Sequence, residues 1–201
     1  AGGFGLWRKD VLYKLGGYDK NYSSEDIEFT FRAHDYVVKN KVKNMQILML
    51  PYFTGWTEGP SNIKSLILQR NRWQRVTEET LWTYRYMLLN PQYGAFAFIV
   101  MPYFVLYEVF GSFFEILSLF IITLGAALGM LDIRLVAAIF LLMVVSQAII
   151  SLLSLFVFNR GQRIFSLKYT MYLVFLSFLE FFWYRWIISY AKISGTYDYS
   201  K

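Results

Sequence analysis

The sequence predicts an α/β layer followed by an all-α transmembrane region of about three helices. Three observations carry that prediction. Apolar residues make up 56% of the chain, above the roughly 45–50% of an ordinary soluble domain. Charges concentrate in residues 1–92, which hold 13 Lys/Arg and 9 Asp/Glu, against 7 and 5 in residues 93–201. The second region consists mainly of apolar runs, and in one of them, Leu135–Asn159, 25 residues pass without a charge.

The polar region mixes strand-like and helix-like segments, which suggests an α/β layer. Phe4–Arg8 reads as a strand or strand end. Lys9–Leu15 reads as a short helix stopped by Gly16-Gly17, a plausible C-cap pair. Tyr18–Tyr22 is a turn. Ser23 and Ser24 then offer an N-cap, and Glu25, Asp26 and Glu28 place acids in the first turn, where they favour the helix dipole. That helix runs to about Val38, and Asn40–Asn44 is a basic turn. Met45–Leu50 is a continuous apolar run, which suits a buried strand. Phe53–Pro60 is a loop with two Gly and one Pro. From Ser61 to about Leu89 a long helix is expected, with Ile63, Leu66, Ile67, Trp73 and Val76 at helical spacing. Only two good strands are found, so the layer is incomplete. The chain opens on Ala1-Gly2-Gly3 with no initiator Met and no signal segment, and reads as part of a longer protein.

Residues 112–201 are expected to form helices at about 112–131, 135–158 and 169–190. At about 1.5 Å per residue, Leu135–Asn159 exceeds the roughly 30 Å of bilayer hydrocarbon. Trp183, Tyr184, Trp186 and Tyr190 crowd the end of the last run as an interfacial aromatic belt would. Residues 93–111 are apolar but interrupted by Pro102, and either span by themselves or lie at the interface. Loop charge arbitrates. Arg160, Arg163 and Lys168 make the Asn159–Lys168 loop basic, and the positive-inside rule puts it on the cytoplasmic side with residues 1–92. Three spans satisfy that and four do not, so 93–111 is assigned to the interface. Glu180 in the last run is costly unless it faces protein or water; structural pairing, with Arg185 or a neighbouring helix, is favoured over lining a polymer path. Gly125 and Gly129 have the spacing that permits close helix packing.

Composition also excludes chemistry. With no Cys there are no disulfides, thiolate metal sites or Cys nucleophiles. A single histidine, His34, excludes a multi-His metal site, and no metal ligands are assigned. The net charge of +6 fits an anionic membrane surface or a nucleotide sugar. The basic residues are scattered, so no nucleic-acid partner is expected.

Two motifs remain. In Ser23-Ser24-Glu25-Asp26, Ser23 and Asp26 sit three apart as in a capping box. The functional reading makes the carboxylate a general base, able to take a proton from a hydroxyl within hydrogen-bond reach. Gln69-Arg70-Asn71-Arg72-Trp73 suits a basic amphipathic helix on anionic lipid, with Trp73 as anchor. Its functional reading places Trp73 beneath a sugar or nucleotide ring. Arg72 would meet a phosphate, and Gln69 would offer a donor and an acceptor to hydroxyls.

In this order, just ahead of membrane helices, the two motifs resemble those of the membrane-embedded inverting glycosyltransferases of family 2, relatives of the cellulose, chitin and hyaluronan synthases. Those carry a T/S/G-E-D motif, then Q-x-x-R-W, then C-terminal spans. Here these stand as Ser24-Glu25-Asp26 and Gln69–Trp73. Phe4–Lys9 with Gly16-Gly17-Tyr18-Asp19 is similar to the family's acceptor-side segment. Thr57-Glu58-Gly59-Pro60 resembles the lead into its Q-x-x-R-W helix, and Phe104, Glu108 and Glu115 resemble one subgroup's first membrane segment.

The resemblance implies that residues 1–92 are the C-terminal part of a GT-A-type catalytic domain on the cytoplasmic side of a multi-pass membrane protein. Asp26, with Glu25 beside it, would be the catalytic base for an acceptor sugar hydroxyl. Gln69, Arg70, Arg72 and Trp73 would hold the donor diphosphate and the acceptor terminus. The donor would be a nucleotide sugar and the acceptor a saccharide or lipid. A divalent cation, Mg or Mn, is expected in the intact enzyme on residues absent from this chain. The family's nucleotide-binding half has no counterpart here, and Val76 stands where many members have Gly. An alternative is a non-catalytic membrane module, a polymer-channel half or an assembly subunit, that partners a separate donor-binding domain.

Overall fold

The computed structural model describes residues 5–42, 45–48, 55, 57–161 and 166–201. Every regular element among them is a helix. The α/β expectation is therefore corrected: among the described residues there is no strand. Residues 5–8 and 45–48 carry no regular structure, while Phe4, Met49 and Leu50 lie outside the described residues. The reason is pairing. A strand's backbone groups are satisfied only by a neighbouring strand, and neither segment has one. Nor is the described part of the apolar run, 45–48, buried, since Leu48 is 72% exposed.

The described residues fall into two compact units. The first gathers those within 1–49, 54–112 and 191–201, and the second those within 113–190.

In the first unit, α1 (Lys9–Lys14) ends as its glycines dictate. Gly16 and Gly17 have φ of +81° and +75°. The Gly17 amide donates to Leu12 O at 2.8 Å and the Gly16 amide to Tyr13 O at 3.1 Å, the paired bonds of a Schellman cap. This turn is bound to α2 (Glu25–Lys39). Arg32 donates to Leu15 O at 2.6 Å and Gly17 O at 2.7 Å. The same guanidinium reaches Glu28 at 2.8 Å, and the Tyr84 hydroxyl donates to the other Glu28 oxygen at 2.6 Å. Glu28 is only 2% exposed, so both carboxylate oxygens are satisfied where water is excluded. Burial and the adjacent carboxylate push the Tyr84 phenol far up.

The long helix α3 (Ile63–Thr83) starts on a capping box. Asn62 Oδ1 accepts from the Ser65 amide at 2.8 Å, and the Asn62 amide donates back to Ser65 Oγ at 3.3 Å. It stops at Tyr84, short of Leu89, whose φ is +57°. The core that follows joins Phe31, Leu81, Tyr84, Met87, Tyr93, Ala97 and Met101. Phe96 meets Phe31 edge-on at 5.2 Å and stacks on His34 at 4.3 Å. Around the three-residue helix α4 (Met101–Tyr103) the backbone widens to π-helix, Phe96–Val100 before it and Phe104–Val109 after it. Pro102 cannot donate the usual i→i−4 bond, which accounts for the irregular pitch. Beyond it, Lys192 pairs with Glu108 at 2.7 Å.

The apolar helices are α5 (Gly111–Ala127), α6 (Ile133–Gly161), α7 (Leu167–Leu179) and α8 (Tyr184–Tyr199). Ile133–Phe156 is long and apolar enough to cross a membrane by itself. Up to three helices do so if two interrupted pairs each count as one span: Phe96–Val109 with Gly111–Ala127, and Lys168–Leu179 with Tyr184–Tyr199. Gly125 and Gly129 serve the end of α5. Gly129 has φ +67°, Met130 donates to Gly125 O at 2.9 Å, and a Cβ on Gly125 would lie 2.9 Å from the Leu131 side chain. The expected last span is broken by a 3₁₀ turn at Glu180–Phe182. Of the partners expected for Glu180, Arg185 is taken by Glu115 at 2.6 Å, with Arg185 also donating to Gln147 and Ser189 to Glu115, and Ser151 of α6 donates to Glu180 instead.

Two measurements check this frame. Tyr84→Phe strips a buried carboxylate oxygen of its donor and should cost about 1–3 kcal/mol in a melt of the purified protein. Burial lowers the His34 pKa below its ordinary 6.5, so the unfolded chain takes up that proton more readily. Stability is complete above about pH 6.5 and falls as pH drops through and below it. His34→Gln should reduce that acid-side loss in melts from pH 8 to pH 5.

Candidate functional site

Asp26 stands in the first turn of α2, next to the N-cap residue Ser24. No capping box forms at Ser23, and Ser24 makes no side-chain cap bond. Instead the Ser24 hydroxyl donates to Asp26 Oδ1. The Ile27 amide donates to the same oxygen at 2.9 Å. Among the described residues nothing donates to Oδ2. The half-buried carboxylate is thus held by one oxygen and presents the other. Glu25 is exposed.

This turn lies against the second half of α3. The Ser23 amide donates to Glu79 at 3.5 Å, and the Tyr22 hydroxyl to Thr83 at 3.4 Å. Trp73 stands six residues before Glu79 on the same helix, about 9 Å along its axis. The structure therefore brings the two motifs into one packed unit. It does not join them directly. Among the described residues no hydrogen bond, ion pair or ring contact links Glu25 or Asp26 to Gln69, Arg70, Arg72 or Trp73.

The second motif splits between two faces of α3. Gln69, Arg72 and Trp73, at i, i+3 and i+4, share one stripe. Trp73 is 46% exposed, Arg72 is exposed and Gln69 half-buried. The Arg70 guanidinium lies 4.5 Å over the indole, and its buried Nε has no hydrogen-bond partner, so the ring face is its main contact. An exposed indole with flanking arginines suits a sugar ring and an anionic oxygen.

The other face is a buried polar seam that the sequence reading missed. Asn71 donates to Ser194 at 3.0 Å and Asp198 at 2.8 Å, and accepts from Arg75 at 3.1 Å. Gln74 donates to Glu78 at 2.8 Å and Thr196 at 3.3 Å, and Thr196 donates to Glu78. Gly195 permits this approach: a Cβ there would lie 2.7 Å from Asn71 O and 2.8 Å from Gln74 Cβ. Helical spacing groups Asn71, Gln74 and Glu78 on one face of α3, but it does not tell that this face is buried. Val76, 2% exposed, fills the core beside them. Glu28 was likewise read only as a first-turn acid.

Among the described residues, no group of three His, Cys, Asp or Glu converges to hold a metal ion. No family model matches the chain, and no match was found among curated proteins or solved structures.

Gly195→Ala should overpack the seam and cost about 1–3 kcal/mol, read as a lower melting temperature. Gln74→Ala keeps both atoms that the new methyl would strike, the Asn71 carbonyl and the residue-74 Cβ, so the double variant should recover none of that loss.

Proposed function

We propose that this chain supplies the acceptor-side base and the membrane anchorage of an inverting glycosyltransferase. The reaction moves a sugar from a nucleoside-diphosphate-sugar to a saccharide or lipid acceptor. The supporting observation is that Asp26 and the Gln69–Trp73 stripe belong to one packed unit, with the Tyr22–Asp26 turn bonded to α3 six to ten residues beyond Trp73. In this reading the protein crosses the membrane several times and the first unit faces the cytoplasm.

The step balances in one displacement. The acceptor oxygen attacks the anomeric carbon as the bond to the diphosphate oxygen breaks. The acceptor proton passes to Asp26 Oδ2, and the nucleoside diphosphate leaves with the electron pair. The Ser24 and Ile27 donors on Oδ1 orient the carboxylate. Trp73 supplies a stacking face, and Arg70 and Arg72 meet negative charge. With no sheet among the described residues, recognition of the nucleotide is assigned to other protein. The described residues do not fit a divalent cation, so no step is routed through one.

A second reading rests on the all-helical architecture: a non-catalytic membrane module assembling with a separate donor-binding subunit. One experiment separates the two. In membranes holding the native assembly, Asp26→Asn should lower sugar transfer by about 10²- to 10⁴-fold with unchanged membrane insertion. Near-normal turnover would exclude Asp26 as base and favour the module.

A further inference from the structure

Within the second unit, an open cavity of about 660 Å³ is lined by α6, α7, the turn that follows and the first residue of α8. Its walls are aliphatic apart from Ser151, Ser154, Ser177, Glu180, Trp183 and Tyr184. Its size falls in the range of small-molecule sites.

Among the described residues, Glu180 has no counter-charge. It follows directly on the apolar helix α7, in a helix pair that together is long and apolar enough to span a membrane. There a carboxylate is costly and is ordinarily paired. Arg185, five residues on, is bound to Glu115 and Gln147. Among the described residues no cation pairs with Glu180; its contact is the Ser151 hydroxyl at 3.4 Å. A single weak donor leaves most of the acceptor capacity unmet.

We infer that this cavity binds a lipophilic ammonium compound, its cationic head at Glu180 and its chain along the aliphatic wall. A carboxylate favours a cationic group and disfavours a head whose only charge is a phosphate or a carboxylate. Trp183 and Tyr184 offer ring faces to an ammonium group. Of the lining hydroxyls, Ser151 and Ser177 already donate to Glu180 and to the Val174 carbonyl, leaving few donors for a saccharide's polar groups, which separates this site from the sugar-transfer reading.

The probe is dodecyltrimethylammonium, titrated into the purified whole chain in dodecyl maltoside and followed by native mass spectrometry, with laurate as the anionic control. One saturable equivalent is expected, unaffected by laurate and weakened about tenfold or more by Glu180→Gln. Equal affinity in that variant, or competition by laurate, overturns the site. Should Glu180→Gln fail to fold, Trp183→Leu decides: weaker binding supports the site and unchanged binding overturns it. Phosphatidylethanolamine carried through purification by the wild type, but not by Glu180→Gln, would identify the bilayer as the source. Binding of the added amphiphile alone would point to a free amine.

Discussion

The first unit depends on one buried carboxylate. Glu28 sits where water is excluded, and a carboxylate there is tolerated only if paired and hydrogen-bonded. Arg32 supplies the charge and Tyr84 the second donor. Because Arg32 also holds the carbonyls of Leu15 and Gly17, three segments are tied through the side chains of Glu28, Arg32 and Tyr84. The Schellman turn after α1, the helix carrying Asp26 and the end of the helix carrying Trp73 share this hub. Removing one partner from such a pair costs far more than the pair itself contributes. The arrangement therefore specifies geometry more than it adds stability, and it sets the Ser24–Asp26 turn at the start of α2.

The seam between α3 and the last turns of α8 works by the same logic, with side-chain amides and a threonine hydroxyl as the donors. Asn71, Gln74 and Glu78 are buried, yet each finds a partner on residues 194–198. Their satisfaction fixes the rotation of α3 about its axis. That rotation decides which side of the helix is left open, and it leaves Arg72 and Trp73 outward. The exposed stripe and the buried seam are thus two consequences of one helical register.

The second unit shows what happens when charges in an apolar setting are divided unequally. Glu115 takes Arg185 and Ser189 on its two oxygens, while Glu180 keeps one long serine contact. The 3₁₀ turn at Glu180–Phe182 separates Glu180 from Arg185 in angle as well as along the chain. Geometry, not distance along the sequence, chose the partner.

Local chemistry by itself determined the start and type of α2, the glycine stop after α1, the reach of α6 and the apolar character of 112–190. In each case the governing interactions lie within a few residues. The same chemistry misassigned 5–8 and 45–48, because an extended segment becomes a strand only when another lies beside it. Tertiary structure alone decided that Glu28 would be the buried acid, that Asn71 and Gln74 would turn inward, and that Arg185 would choose Glu115. Those outcomes depend on groups up to 127 residues apart, and side-chain spacing along one helix carries no information about what a distant helix will present to it.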